Sequence, residues 1–417
     1  MTLLVPTAGP RHARAPLRGP ARRVYPPRLA DAAAASMATY AIPLLVLATT
    51  DSASLTGVAF VLAWVPRLST FSVAGTVVDR FGPTRVFRLA AAARAAVVTL
   101  AAVALDTVAD RWATVVVMVL ATCTGALTQF SYVASESIGA AVSRGAVGGA
   151  HRVQSVLLGI DQSAALAGPA AGGFLLEGAG PSGMLAAIGA LSLLAALITA
   201  RVRHSPPGPA EPAARGIRTG WSTLRALPAL AALVTGLALS NLALGVLQAS
   251  MPVILVDELG HSSSDVGLLW SAAAAASLVA ITLCRFAIGR WGSLLVGRLA
   301  AVVAVVSCFA LARAGSYPAY LVFVAVFMAG DGVLAVVLRT LRARFIPEHV
   351  FGSTLSLTAL ILLLPYPLAG VLVATTPPAS LGGVIGVCAV LQCVGLALAF
   401  VRIKRRPRRG KHRRALH

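Results

Sequence analysis

Apolar residues run in blocks of about twenty along most of this chain, separated by short polar breaks. Wound as an α-helix, a block of that length crosses a hydrocarbon layer of roughly 30 Å. Twelve blocks are read at about 29–50, 55–78, 86–106, 112–134, 152–176, 183–201, 229–256, 265–288, 293–312, 318–338, 352–375 and 381–401. The pattern predicts an all-α polytopic membrane protein with twelve transmembrane helices.

The one long polar stretch between blocks, 202–226, has "SPPGPAEPAARG" at its centre. Its Pro, Gly and charge predict an exposed linker. The expected organisation is a basic flexible tail at 1–27, a six-helix bundle at 28–201 and the linker at 202–226. A second six-helix bundle at 227–402 and a basic tail at 403–417 complete it. Residues 1–27 lack the short apolar region and small-residue cleavage site of a secretory leader. The two bundles also repeat. "DRFG" at Asp79–Gly82 corresponds to "GRWG" at Gly289–Gly292, and the same offset of 210 positions carries Gly57 onto Gly267 and Arg88 onto Arg298. Such duplicated units are common in transporters, which hold substrate between the repeats near the midplane.

Composition agrees with a membrane class: 58% hydrophobic and only 12% charged, against about a quarter charged in soluble domains. The net charge of +21 first suggests a nucleic-acid partner, but its distribution argues against one. Arg11, Arg14, Arg18, Arg22, Arg23 and Arg28 precede the first block. Arg201, Arg203, Arg215, Arg218 and Arg225 flank or occupy the linker, and nine Lys and Arg lie between Arg402 and Arg414. An even number of crossings places all three groups on one face, which the positive-inside rule makes cytoplasmic. A multi-pass cell-membrane protein with both termini cytoplasmic is expected, its basic segments meeting anionic lipid headgroups.

Chemistry of the enzymatic kind is missing from the sequence. Cys123, Cys284, Cys308, Cys388 and Cys393 fall within or at the ends of blocks without metal or redox spacing, so they read as apolar packing. There is no G-x-x-x-x-G-K-S/T phosphate loop, no G-x-S-x-G and no H-E-x-x-H. No catalytic residue, metal or cofactor is expected; the partners are a small-molecule substrate and protons, and the protein is expected to be a monomer.

Charges inside spans cost roughly 2.5–3.5 kcal/mol each on insertion scales, which makes the survivors functional candidates. Four stand out: Asp161 in the fifth block, Arg67 in the second, Arg94 in the third and Asp331 in the tenth. By helical rise, Asp161 lies roughly 13 Å and Arg67 roughly 18 Å along their blocks. Asp161 is placed to pair with Arg67 or Arg94. Desolvation favours the protonated carboxyl and a nearby cation favours the charged one, so an arginine that moves would make the acid bind or release a proton. The alternative is a static buried pair. Asp31, opening the first block, reads as a helix-N-terminal acid with a structural role. Gln129, Tyr132, Asn241 and Gln248 are candidates for a central cavity, or else for helix–helix hydrogen bonds. So few charged cavity residues favour an amphiphilic or apolar substrate over a di-anion.

The polar hinge between the second and third blocks carries a resemblance. Gly75, Asp79, Arg80, Gly82, Arg85 and Leu89 answer to the major facilitator superfamily signature G-x-L-x-D-R-x-G-R-K/R-x-x-L, with Pro83 and Thr84 in place of the usual basic pair. "GPAAGG" at 168–173 resembles that superfamily's antiporter motif through Gly168, Pro169, Gly172 and Gly173, while Ala164 stands where a glycine is usual. "RTLRARFIPEHVFGSTLSL" at 339–357 resembles a loop of the drug:proton antiporter branch, which includes enterobactin and macrolide exporters. The resemblance implies a major facilitator fold and alternating access. It also implies a latch from Asp79 to the start of span 11 near 351–353, and proton-driven export of a drug, antibiotic or siderophore. One departure is that "VVVMVLATCTGALTQF" at 115–130 lacks the arginine such antiporters often carry in span 4. An importer, or a receptor without transport, is the alternative.

Overall fold

A computed structural model of the chain describes residues 20–107, 110–145, 150–199, 213–346 and 350–404. Residues 1–19, the linker segment 202–212 and the tail from 405 onward lie outside the described residues. All regular structure among the described residues is helical. The first group of helices is α1 (Pro20–Thr50), α2 (Ala53–Phe81), α3 (Pro83–Thr107), α4 (Asp110–Gly145) and α5 (Ala150–Ile198). The second is α6 (Ala213–Ala226), α7 (Pro228–Pro252), α8 (Ser263–Trp291), α9 (Ser293–Leu311), α10 (Tyr317–Phe345), α11 (Phe351–Leu363), α12 (Pro365–Thr375) and α13 (Leu381–Lys404).

Helix number and span number reconcile at two breaks. Gly180, at φ 69°, kinks α5, and a straight helix of its 49 residues would reach about 74 Å, far beyond a bilayer. Its two arms are therefore the fifth and sixth crossings. Conversely, α11 and α12 form one crossing broken at Leu364, because Pro365 and Pro367 each lack an N–H for the helical ladder. Asn241 on α7 donates to the carbonyl of Leu362 at 2.7 Å beside this break. Residues 213–226, expected as part of the exposed linker, form α6. Its Leu224 is buried and its Trp221 and Arg225 are exposed, a two-faced pattern that lays it against α11 and α7.

The repeat seen in the sequence extends through local structure. Ser52 caps α2 by accepting from the Leu55 N–H, and Ser262 caps α8 by accepting from Asp265 N–H. Gly82 ends α2 at φ 83°, its N–H donating to Val78; Gly292 ends α8 at φ 80°, its N–H donating to Ile288. Every one of these pairs is separated by the same offset as the sequence matches. Glycine is required at both turns because L side chains rarely adopt that φ.

Contact between the two groups of helices is made mainly by α5 on α8 and by α2 on α12, with lesser contacts of α1 and α2 on α7 and of α1 on α8. The face carrying the α2–α3 turn is called basal here, and the face carrying the α1–α2 turn distal. Both main contacts lie distal. Gly57 of α2 abuts the backbone of Ala374 and Gly370, and Gly267 of α8 abuts the backbone of Pro169. The Ser54 hydroxyl donates to the Ala374 carbonyl at 2.7 Å, and the Ala170 N–H donates to the Ser271 hydroxyl at 3.1 Å. Towards the basal face Gly75 of α2, Gly159 of α5 and Gly289 of α8 border open space instead. The molecule is shut distally and spread basally.

Gly267→Val would drive a branched side chain into the Pro169 carbonyl, an overpacking that typically costs about 1–3 kcal/mol. The distal contact should then loosen. Spin labels on the distal ends of α5 and α8 should show a longer, broader distance distribution by pulsed EPR; an unchanged distribution would mean that close glycine packing does not hold this face shut.

Candidate functional site

Buried charge in the first group is organised into two clusters. α1 begins well before the first apolar block and brings Arg28 and Asp31, three residues apart on one side of the helix, against α3, α4 and α5. Arg28 is 5% exposed. Its Nε donates to Asp161 Oδ1 at 2.8 Å and its Nη2 to Asp161 Oδ2 at 2.6 Å, a two-pronged pair. Nη2 also reaches Glu136 Oε1 at 2.7 Å, Nη1 donates to the Ser135 hydroxyl, and the guanidinium lies 5.8 Å from the Tyr132 ring centre. One turn along α1, Asp31 accepts from Arg94 Nη2 at 2.5 Å. Arg94 is fully buried and further held by Ser192 at 2.9 Å and Ser131 at 3.4 Å.

Asp161 therefore pairs with neither Arg67 nor Arg94, the two partners the sequence suggested. Asp31 is more than a dipole-stabilised acid: it is the counter-ion of Arg94. Arg28 and Glu136 escaped the sequence reading, the first because it was placed at the end of a tail and the second because the fourth block was ended at 134. A signal existed, since Tyr132 and Glu136 are four apart on α4 and thus share a helix face.

The other two charges are unpaired. Arg67 stands at the centre of α2 and Asp331 at the centre of α10, hence near mid-depth of the crossings. Among the described residues Arg67 has no ion pair and its side chain makes no hydrogen bond. Its guanidinium lies 4.7 Å from the Trp64 ring centre, and Trp64 stacks on Tyr366 of α12 at 4.0 Å with ring planes 15° apart. Among the described residues Asp331 has no ion pair; it accepts from the Ser240 hydroxyl of α7 at 2.8 Å, and Ser240 in turn accepts from Gln392 Nε2 at 2.8 Å. Tyr366 is within electrostatic reach of both Arg67 and Asp331.

A cavity of about 280 Å³ opens between the groups, lined by Arg67, Trp64, Tyr40, Gln248 and Tyr366 among others. Gln248 Nε2 donates to the Tyr40 hydroxyl at 3.5 Å, and Tyr40 packs on Trp270 of α8 at 5.3 Å. Of the four polar cavity candidates, only Gln248 lines this space. Gln129 is buried with its Nε2 unpartnered, Tyr132 stands beside Arg28, and Asn241 repairs the α11–α12 break.

The hinge and the span-5 motif have distinct placements. Asp79, Arg80 and Arg85 are exposed, and Asp79 has no partner among the described residues. The side chains of 351–353, expected to receive it, lie outside the description. Gly75 borders open space and Gly82 makes the turn. In α5, Gly168 and Gly172 abut Met37, Ser36 and Ala41 of α1, Gly173 abuts Ser263 of α8, and the Pro169 carbonyl meets Gly267. Among the described residues no group of His, Cys, Asp and Glu is arranged to hold a metal ion.

The two clusters predict unequal sensitivity. Asp31→Asn leaves Arg94 buried without a carboxylate, a loss of the kind that costs about 3–5 kcal/mol. Asp161→Asn leaves Arg28 its bond to Glu136, so a smaller loss is expected. Thermal unfolding in detergent should show Asp31→Asn as the more damaging change; the reverse order would contradict this assignment of partners.

A sequence profile of the Major Facilitator Superfamily matches residues 29–370. No curated protein sequence matches the chain. Among solved structures, a bacterial homologue of the iron transporter ferroportin in an inward-facing state superposes with a TM-score of 0.75 at 15% identity, over 94% of this chain and 100% of that one. An outward-facing structure described in the same words gives 0.62 at 16% identity, over 93% and 99%. A nucleoside transporter gives 0.73 at 12% identity, over 92% and 100%. At these identities the likeness is one of fold. Since the profile spans most of the chain and the duplicated bundle matches these transporters along nearly its whole length, this chain belongs to the Major Facilitator Superfamily and is a secondary transporter rather than an enzyme.

Proposed function

We propose that the protein exports an amphiphilic small molecule in exchange for protons, by alternating access. The observation that carries this reading is the unequal treatment of buried charge. Arg28 and Arg94 are each matched by carboxylates within the first helix group, Arg28 by Glu136 and Asp161 and Arg94 by Asp31, while Arg67 and Asp331 stand without an ion pair at mid-depth of different groups. An acid without a cation in an apolar surround is costly when charged, so Asp331 is suited to carry a proton whenever its surroundings dry. Asp161 serves as a second candidate, because Arg28 divides its bonds between Asp161 and Glu136 and can favour one over the other as α1, α4 and α5 shift.

The charge distribution supports a cytoplasmic basal face, and the better superposition on an inward-facing relative supports reading the basal opening as the inward state. In the proposed cycle, substrate enters from the cytoplasm against Arg67 and the Trp64–Tyr366 stack while Asp331 gives up its proton. The glycine contacts of α5 with α8 and α2 with α12 then part, and basal closure brings Asp79 to the start of α11. Substrate leaves distally and a proton returns on Asp331. The resemblance of Gly168, Pro169, Gly172 and Gly173 to the antiporter motif supports export over import, and the segment they form lies in the distal contact with α8. A monomer suffices, because one chain encloses the cavity.

Everted membrane vesicles energised to an acid interior, given fluorescent anionic, neutral and cationic amphiphiles, test this. Uptake of at least one probe, accompanied by alkalinisation of the lumen, is expected. Asp331→Asn should lower gradient-driven uptake by about ten-fold or more, while exchange of labelled for unlabelled probe persists. Full gradient-driven uptake in Asp331→Asn, or release of preloaded probe on acidification, would contradict proton antiport through this residue.

A further inference from the structure

We infer that Arg67 is an anion receptor and that the cargo is a monoanion with a planar apolar body, a carboxylate being the simplest such group. The inference rests on the transporter reading and deepens it by naming the substrate class. Arg67 is a permanent cation at mid-depth of the crossings with neither an ion pair nor a side-chain hydrogen bond among the described residues. A guanidinium cannot shed its proton to escape that cost. Every other arginine buried in the first helix group is matched by at least one carboxylate, Arg28 by two and Arg94 by one. The missing partner at Arg67 is therefore an anion that arrives from outside the chain.

What surrounds Arg67 describes the rest of that molecule. One side of the guanidinium is covered by the Trp64 ring, which leaves its N–H edge for a planar oxyanion to engage in two-pronged fashion. The Trp64–Tyr366 stack spans the two helix groups and offers flat apolar surface for a ring to lie against. Gln248 lines the same cavity and adds a polar side chain to its wall. The volume of about 280 Å³ sits at the small end of ligand pockets, suited to a compact ring system. A single uncompensated cation favours one negative charge over two, in keeping with an amphiphile and against a sugar phosphate.

The arrangement also shows how cargo binding would be sensed. Tyr366 touches the stack on one side and lies within reach of Asp331 on the other, so a ring wedged at Trp64 displaces a residue of the α11–α12 crossing, which forms one of the two distal contacts. Binding at Arg67 is in this way joined to the α2–α12 gate.

Binding to the purified full-length protein in lipid nanodiscs tests the inference without any ion gradient, so its outcome is separable from that of the transport experiment. The probes are 1-naphthoate, its uncharged carboxamide and the cationic 1-naphthylmethylammonium, read by quenching of tryptophan fluorescence and by calorimetry. The carboxylate is expected to bind at least about ten-fold more tightly than the amide, with the cation weakest. In Arg67→Gln that preference should vanish, and in Arg67→Lys, which keeps the charge and guards against misfolding, part of it should remain. Equal affinity of naphthoate and carboxamide for the unaltered protein, no saturable naphthoate binding, or an unchanged preference in a folded Arg67→Gln would each overturn the assignment.

Discussion

Hydrocarbon tolerates an ionic side chain only beside its opposite, and the arrangement of this protein follows from that constraint. In the first helix group α1 acts as the supplier of partners. Its Arg28 binds the acids of α4 and α5, and its Asp31 binds the arginine of α3. These bonds fix four helices to one another, with both arginines and Asp31 buried. Once the five charges are settled, Arg67 and Asp331 are conspicuous because nothing in the described chain settles them. They belong to different helix groups, stand at mid-depth, and share Tyr366 as a common neighbour. A charge that a soluble protein would leave to solvent must here be met by cargo or by a proton, and that requirement connects the fold to transport.

Movement needs the opposite property, a contact that is close yet easily undone. The distal contacts between groups have it. They consist of glycine against backbone, with three hydrogen bonds, Ser54 to Ala374, Ala170 to Ser271 and the Ser264 N–H to the exposed Glu177 carboxylate, and no ion pair among the described residues. Such surfaces fit tightly through dispersion, and they part without stranding a charge. Gly57 and Gly267 are equivalent positions of the duplicated unit, and each packs on the other group, one on α12 and the other on α5. The duplication thus produces two matching hinged seams, and the aromatic and charged cavity lies below them.

Much of this was written in the primary structure and some was not. Apolar blocks of bilayer length and a constant repeat offset are local or periodic signals, so the crossings, the paired Ser caps at 52 and 262 and the paired glycine turns at 82 and 292 could be read in advance. Ion pairing is not local. Asp161 was singled out, yet its partner lies 133 positions away on a helix whose first turns looked like a tail. Glu136 stayed hidden because α4 continues past the end of its apolar block. Arg67 was recognised as expensive, but the aromatic wall beside it comes partly from Tyr366 of the other half, and no spacing rule links those two. The break in span 11 at Pro365 and Pro367 was not anticipated, and the repair by Asn241 needed three dimensions. The antiporter-type glycines were recognised by their motif; the structure adds what they pack against.

The central claim is that the two lone charges are met from outside the chain in one linked exchange, cargo at Arg67 and a proton at Asp331. It is tested most directly by measuring the protons exchanged on binding, with purified protein in weakly buffered solution containing a pH indicator. An anion at Arg67 alters the field at Asp331, so a saturating anionic amphiphile should change the number of protons bound to the unaltered protein, and Asp331→Asn should abolish that change while still binding the probe. Binding without proton exchange, or exchange that persists undiminished in Asp331→Asn, would contradict the account.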